Sequence, residues 1–456
     1  MSSRFIHSAI VAFFTLTPVL LFSQTASGPL TLAQCVEFAL KNNSAYLNAE
    51  RQEAIAGTQV TTARSQILPN ISSNFSSNRF EQSASTFKRD VPIIDRETGQ
   101  TIGYEQKEVE QAGSVRQSHS TSITLNQTIF DFGNTYYGIK QARSGKRAAQ
   151  YSTENARQNT VLMVHQNYYN LLKNIRLLEV REEAATSSKE QLKRTQSMYE
   201  IGSVAQADVY RAQTTYGNDR IALIRQKNLV RDAQALLNTT MGRPVNEALD
   251  IVDNEEISTA STYTLEAVLK IAEEKNPQIH SIKADMTSAA YGLKVAKTNY
   301  LPSFSGTIRY SRNNSDFDRV YTSYDKNYSI SAGVNLSFNI FNGFSDAARV
   351  EQESLRKRIA EENLVNTKRD LRRQVQEALL DLDANRQISI INGENLKSAE
   401  EDLRLAEERY RVGAGTLLDV IVARSNLTGA RSTFVQAKYD TKITEAQLKM
   451  AMGVLK

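Results

Sequence analysis

The chain reads as an α+β membrane protein with two internal repeats, each joining short barrel-type β-strands to a very long helical hairpin. Three observations predict this. The first is self-similarity. TLAQCVEFALKNN at 31–43 matches TLEAVLKIAEEKN at 264–276, and Leu68-Pro69 matches Leu301-Pro302, both 233 positions apart. Ile129-Phe130-Asp131 matches Ile340-Phe341-Asn342, YEIGSVAQADV at 199–209 matches YRVGAGTLLDV at 410–420, and Met241-Gly242 matches Met452-Gly453, all 211 apart. The second observation is that 93–243 and 303–456 contain no proline, so long helices meet no breaker. The third is a period of two over 328–340. Tyr328, Ile330, Ala332, Val334, Leu336, Phe338 and Ile340 alternate there with Ser, Gly and Asn. A polar face of Ser, Asn and Gly, rather than Lys and Glu, opposite an apolar face ending in aromatics is the pattern of a transmembrane barrel.

Residues 1–23 read as a signal peptide, with Arg4 before the apolar stretch Ala9–Phe22 and a small, polar exit. That stretch is shorter than the about 20 residues needed to span a bilayer. The first repeat, 24–243, begins with a helix that stops at Leu68-Pro69, because the residue before proline is pushed out of the helical region. Cys35 lies inside this helix and reads as a small buried residue rather than a lipidation site. A strand pair at about 70–88 and 119–130 follows, then a helical hairpin over 134–243. The two offsets differ by 22, so the first copy carries a 22-residue excess between Pro69 and Ile129; the polar stretch 88–118 within it is expected to be a long exposed loop. A linker spans 244–262. The second repeat, 263–456, has a helix, strands at about 303–315 and 327–341, and a hairpin over 344–454. Apolar residues at 3,4 spacing, clearest at Leu396, Ala399, Leu403, Ala406 and Tyr410, indicate coiled-coil seams. The returning helices start with capping-box spacing, Ser203 to Gln206 and Thr416 to Asp419.

Composition narrows the function. Lys+Arg at 55 against Asp+Glu at 50 leaves +5 with no basic block, which argues against nucleic acid. Four scattered His (7, 119, 165, 280), one Cys and no Trp offer no metal site or disulfide framework, and no cofactor motif or catalytic constellation is present. A mean hydropathy of −0.43 excludes a bundle of transmembrane helices.

The order, duplication and spacing of these motifs resemble the TolC family of outer-membrane efflux proteins over 30–456. The resemblance is carried by LTLAQCVEFALKNN, the strand starts at Pro69 and Pro302, the strand-to-helix signatures IFDFG and IFNGF, and the turns YEIGSVAQADVYRA and YRVGAGTLLDVIVAR. It implies a homotrimer whose chains give four strands each to a 12-stranded outer-membrane barrel, continued by a periplasmic α-helical coiled-coil barrel. Four strands cannot close a barrel alone, and open edges are not tolerated in lipid, which independently favours a shared barrel. The resemblance further implies the exit duct of a tripartite efflux or type I secretion system. Its partners would be outer-membrane lipid, a periplasmic adaptor (membrane fusion) protein and an inner-membrane pump of RND or ABC type.

By the same resemblance Gly202, Ser203 and Val204, with Gly413, Ala414, Gly415 and Thr416, are adaptor-contact tips; the glycines also suit left-handed helix ends. Asp419 sits where family members narrow the channel, and is equally the N3 acid of a capping box with Thr416. Some members carry a second acid where this chain has Val422, and a locking arginine where it has Gly415; Tyr410 and Asp208 retain positions used in closed-state hydrogen bonding. A competing class, a periplasmic adaptor or structural coiled coil, is disfavoured by the alternation at 328–340.

Overall fold

The computed structural model describes residues 28–253, 264–322 and 325–456. The signal segment and the end of the linker lie outside them. Two short helices open the chain, α1 (Leu32–Asn42) and α2 (Ser44–Ser65). They lead into strands β1 (Asn70–Gln82), β2 (Ser85–Ile94), β3 (Thr101–Gln111) and β4 (Ser114–Phe130), then helices α3 (Asn134–Glu200) and α4 (Gln206–Met241). After the linker come α5 (Leu265–Lys275), α6 (Pro277–Thr298), β5 (Ser303–Asn314), the short α7 (Phe317–Tyr321), β6 (Tyr328–Ser337), α8 (Ser345–Arg411) and α9 (Leu417–Ala451).

Four strands form one antiparallel sheet in the order β1-β4-β5-β6. Its register separates two chemistries. Ile71 pairs with Leu125, Ile123 with Tyr310, Leu125 with Ile308, Tyr310 with Ile330 and Phe304 with Leu336, so these side chains share one face. Ser72 pairs with Thr124, Asn126 with Thr307 and Ser305 with Asn335 on the other. At the end of the sheet far from the long helices, α7 folds back over the apolar side. Phe317 meets the Phe75 and His119 rings edge-on, and Arg312 is buried because its Nη2 donates to the carbonyls of Arg319, Thr322 and Lys326.

The polar stretch expected to be a loop is instead a second, two-stranded sheet in which β2 pairs with β3. Consequently the first strand ends at Gln82 and the fourth begins at Ser114.

The helices α3 and α8 each run 67 residues, about 100 Å at 1.5 Å per residue. Side by side, α4 packs on α3, α3 on α9 and α9 on α8. Apolar cores lie along this layer, the two larger ones under the short helices and a small one around Val161, Ala446 and Leu455. Of the larger two, one gathers Cys35, Val164, Leu171, Leu237 and Met241 under α1; the other gathers Val268, Ile279, Val375, Leu382 and Leu448 under α5. Cys35 is fully buried, which pushes its thiol up to about 12.

Two asparagines organise these junctions. Asn43 ends α1 and begins α2, its Oδ1 accepting from the amides of Ala45 and Tyr46 while its Nδ2 donates to the Thr240 carbonyl. Asn276 does the same between α5 and α6, donating to the Ala451 carbonyl. Each joint sits against a glycine with positive φ. A Cβ on Gly242 would stand 2.7 Å from the Asn42 oxygen, and one on Gly453 2.6 Å from the Asn276 Cα. Gly453→Ala is therefore expected to destabilise the protein by roughly 1–3 kcal/mol, combining left-handed strain with a backbone clash. Gly429→Ala, mid-helix in α9 with nothing within 4 Å, is expected to shift stability the other way. Opposite shifts in thermal unfolding of the detergent-solubilised protein check this.

Candidate functional site

The helical hairpins end in two turns of the same build. Helix α3 is closed by the Gly202 amide donating to the Tyr199 carbonyl and the Ser203 amide to Met198, with Gly202 at φ +73°. Helix α8 is closed by Gly413 to Tyr410 and Ala414 to Arg409, with Gly413 at φ +76°. This pair of hydrogen bonds satisfies orphan carbonyls of a helix end and needs a residue at ease in the left-handed region.

The returning helices start differently. Thr416 and Asp419 form a complete capping box: Asp419 Oδ2 accepts from the Thr416 amide and hydroxyl at 2.8 Å, and the Asp419 amide donates back to Thr416 Oγ1 at 3.2 Å. The box expected at Ser203 and Gln206 does not form. Gln206 opens α4, the cap position falls on Ala205, and Ser203 is committed to closing α3. Ala205 is the counterpart of Thr416 in the 211-residue offset, so the first turn lacks a side-chain cap.

The bond from the Thr416 amide, followed by its hydroxyl, holds the Asp419 carboxyl below its usual range, with help from Arg409. Asp419 is fully solvated in the protomer and charged at neutral pH. Because its folded pKa is depressed, the cap's contribution is present above the ordinary carboxylate value and is lost only as pH falls through the lower folded one. Asp208 occupies the matching N3 position on α4 and accepts from Arg211 at 3.1 Å. Tyr410 reaches across to Met198, hydroxyl to sulfur 3.6 Å. Within the protomer Asp208 and Tyr410 thus bond to different residues and not to each other.

Two features were not anticipated from the sequence. Ile201 and Val412, each just before a turn glycine, are 80% and 71% exposed, leaving an apolar knob on both turns. The duplicated apolar-Gly pair was their signal. Above the turns, Arg424 of α9 bonds Glu407 of α8 at 2.6 Å and the Ser187 carbonyl of α3 at 3.2 Å. Seven residues on, Arg431 bonds Glu183 of α3 at 2.6 Å and approaches Glu400 of α8 at 3.8 Å. These arginines tie three helices together.

At the other end of the long helices, Pro69 and Pro302 directly precede β1 and β5, removing a donor where helix must give way to strand. The return from sheet to helix is tight: Phe132-Gly133 and Gly343-Phe344 are consecutive positive-φ pairs. A phenylalanine in that region is unusual and costs on the order of 1–3 kcal/mol. The result is a band of exposed aromatics, Phe130, Phe132, Phe338, Phe341 and Phe344, beside the sheet. Aromatics at this level match a membrane–water interface.

A sheet with one apolar and one hydroxyl- and amide-lined face, mounted on paired helices about 100 Å long, is the architecture of an outer-membrane channel with a periplasmic extension. Residues 36–243 and 268–454 match the family described as "Outer membrane efflux protein". The chain belongs to that family. Outer membrane protein TolC of Vibrio cholerae is 23% identical over 446 residues, covering 95% of each chain. TolC of Escherichia coli is 25% identical over 347 residues, covering 74% of this chain and 69% of its own. The CmeC outer membrane channel of Campylobacter jejuni superposes with a TM-score of 0.75 at 21% identity, covering 92% of this chain and 85% of that one. The chain is accordingly an outer-membrane efflux channel and not an enzyme, resident in the outer membrane of a Gram-negative-type envelope and extending into the periplasm. The adaptor or structural coiled-coil alternative has no support.

Proposed function

We propose that three copies close a 12-stranded barrel and a continuous helical tunnel, forming a passive exit duct for an inner-membrane pump of RND or ABC type. The observation that carries this is the pair of open edges. β1 and β6 bound a four-stranded sheet with an apolar face, and an unpaired edge cannot persist in lipid. The helical layer supports the same reading: α4 and α8 bound it, and both expose apolar residues, among them Ile221, Ile224, Ile390 and Ile391. Edge would join edge, β1 to β6 and α4 to α8 of the next copy, and the two halves of each chain act as structural repeats that smooth three-fold into quasi-six-fold symmetry. A periplasmic adaptor docks on the turns through Gly202, Ser203 and Val204 and through Gly413, Ala414, Gly415 and Thr416. Ile201 and Val412 supply the apolar contact.

The protein should fractionate with outer membranes and migrate as a trimer in mild detergent. A stable water-soluble monomer with full strand content overturns the assembly.

Three-fold symmetry would also set three Asp419 carboxylates around the axis at the tip. A ring of acids selects cations. In planar bilayers, Asp419→Ala is expected to reduce cation selectivity and relieve block by multivalent cations added from the tip side. If selectivity and block are unchanged while thermal stability falls slightly, Asp419 is a cap only. The Arg424 and Arg431 ties would then be where closure is held.

A further inference from the structure

The 22-residue excess of the first half is not accounted for by conduction or adaptor docking. It forms the β2–β3 ribbon, which continues β1 and β4 beyond Ser83-Ala84 and Ala112-Gly113 at the end of the sheet away from the helices. At about 3.3 Å per residue, ten residues carry it roughly 33 Å past the sheet. Tyr104 and Ile102 near its end are 72% and 69% exposed. An isolated two-stranded ribbon is marginal in water, so its faces call for cover.

The register sorts its charges. Residues directly opposite share a face. Thr86 pairs with Glu110, Lys88 with Glu108 and Asp90 with Gln106, giving one face three acids and one base. Arg89 pairs with Lys107 and Val91 with Glu105, giving the other face two bases and one acid. Like charges directly opposite destabilise a ribbon standing alone. Lys107 relieves part of this through Glu105 on its own strand at 3.7 Å. Acids arriving from outside would relieve the rest.

We propose that the ribbons of the three protomers clasp one another above the barrel, the acidic face of each lying on the basic face of the next. This rests on the trimeric reading above. A cyclic assembly around a three-fold axis has a heterologous interface, in which two unlike patches of one chain meet across each contact. The ribbon carries two such patches back to back. Two-stranded ribbons twist more than wider sheets, which turns faces that leave the barrel wall inward and outward toward neighbouring copies. A second copy of the chain therefore fits where a lipid surface, reading one sign of charge, would use only half of the pattern.

The test is a cysteine pair, Val91→Cys with Gln106→Cys, which leaves every charge in place. The two sites neighbour each other within one ribbon but point to opposite faces, so they cannot bridge within a chain. Cys35 is buried and silent. Oxidation of outer membranes is expected to give a reducible, covalent trimer on denaturing gels. Lys107→Glu in that background should lower its yield severalfold, and adding Glu110→Lys should restore it. Only monomer on the denaturing gel, from protein that still migrates as a trimer in mild detergent, overturns the clasp alone. Monomer in both overturns the assembly beneath it.

Discussion

Gly413→Trp and Gly202→Trp are expected to abolish export while leaving trimer yield and membrane insertion intact. Both glycines adopt positive φ, and a side chain there costs on the order of 1–2 kcal/mol in local strain. That is affordable in a helical layer about 100 Å long with three separate apolar cores. Space is not the obstacle, since a Cβ at either site meets nothing within 4 Å. The open space is the surface on which an adaptor helix would lie, and an indole there holds it away. Gly413→Ala carries the strain without the bulk and should export nearly as well as the parent, which separates the two causes. Ile201→Asp and Val412→Asp attack the same contact from its apolar side. If these exposed side chains become buried anchors in the complex, each substitution should weaken adaptor binding by about 2 kcal/mol or more, roughly 30-fold. Unchanged export in both tryptophan variants removes the turns from the contact.

The long helices and the principal strands were readable because their signals are periodic and repeated. Residues 328–340 alternate cleanly in sequence, and over 328–337, where β6 forms, the registers of β4, β5 and β6 keep the apolar side chains on one face and the small polar ones on the other. The β2–β3 ribbon escaped for the opposite physical reason. Both its faces are exposed, so charges fall on each of them, Lys88 and Glu108 on one and Arg89 and Lys107 on the other, and they interrupt any apolar alternation. Its turn was signalled nonetheless: Asp95 accepts from the Glu97 amide and the Thr98 hydroxyl, and Gly99 takes φ +65°. Seeing Asp-x-x-x-Gly as a hairpin turn would have recast the loop as strands.

At the turns, spacing alone misplaced one cap. Ser203 and Gln206 have the right separation, but a serine whose amide closes the preceding helix cannot also begin the next one. The 211-residue offset already pointed to Ala205 instead. The joints at Asn43 and Asn276 were visible only as matched letters, 233 apart. What they do, capping one helix while gripping the end of another 197 and 175 residues away, depends on tertiary packing that no local pattern encodes. The same holds for Arg424 and Arg431, whose partners come from α3 and α8.

Val334→Arg is expected to cause the largest loss of assembled protein, and Asn335→Arg almost none, although the two are neighbours. Val334 pairs with Gly306 on the face that carries Ile308, Tyr310, Ile330 and Leu336. Asn335 pairs with Ser305 on the face of Thr307 and Ser331. If the first face meets lipid, an arginine at the bilayer midplane costs roughly 2–4 kcal/mol per copy, and the proposed three-fold assembly would place it in the membrane three times. That sum is comparable to the whole stability of an ordinary domain, so trimers should fail to form or to insert. On the polar face of the proposed barrel the same side chain would stand in water beside the hydroxyls and amides of the lumen. There it should leave insertion unchanged and shift ion selectivity toward anions. Both variants introduce the same side chain at adjacent residues of one strand, whose Cα–Cβ bonds point to opposite faces. Outer-membrane trimer yield on mildly denaturing gels, with bilayer reversal potentials for the variant that inserts, measures both halves. Equal yields from the two variants would mean that neither face is dissolved in lipid, and reversed yields would exchange the inside and outside of the barrel.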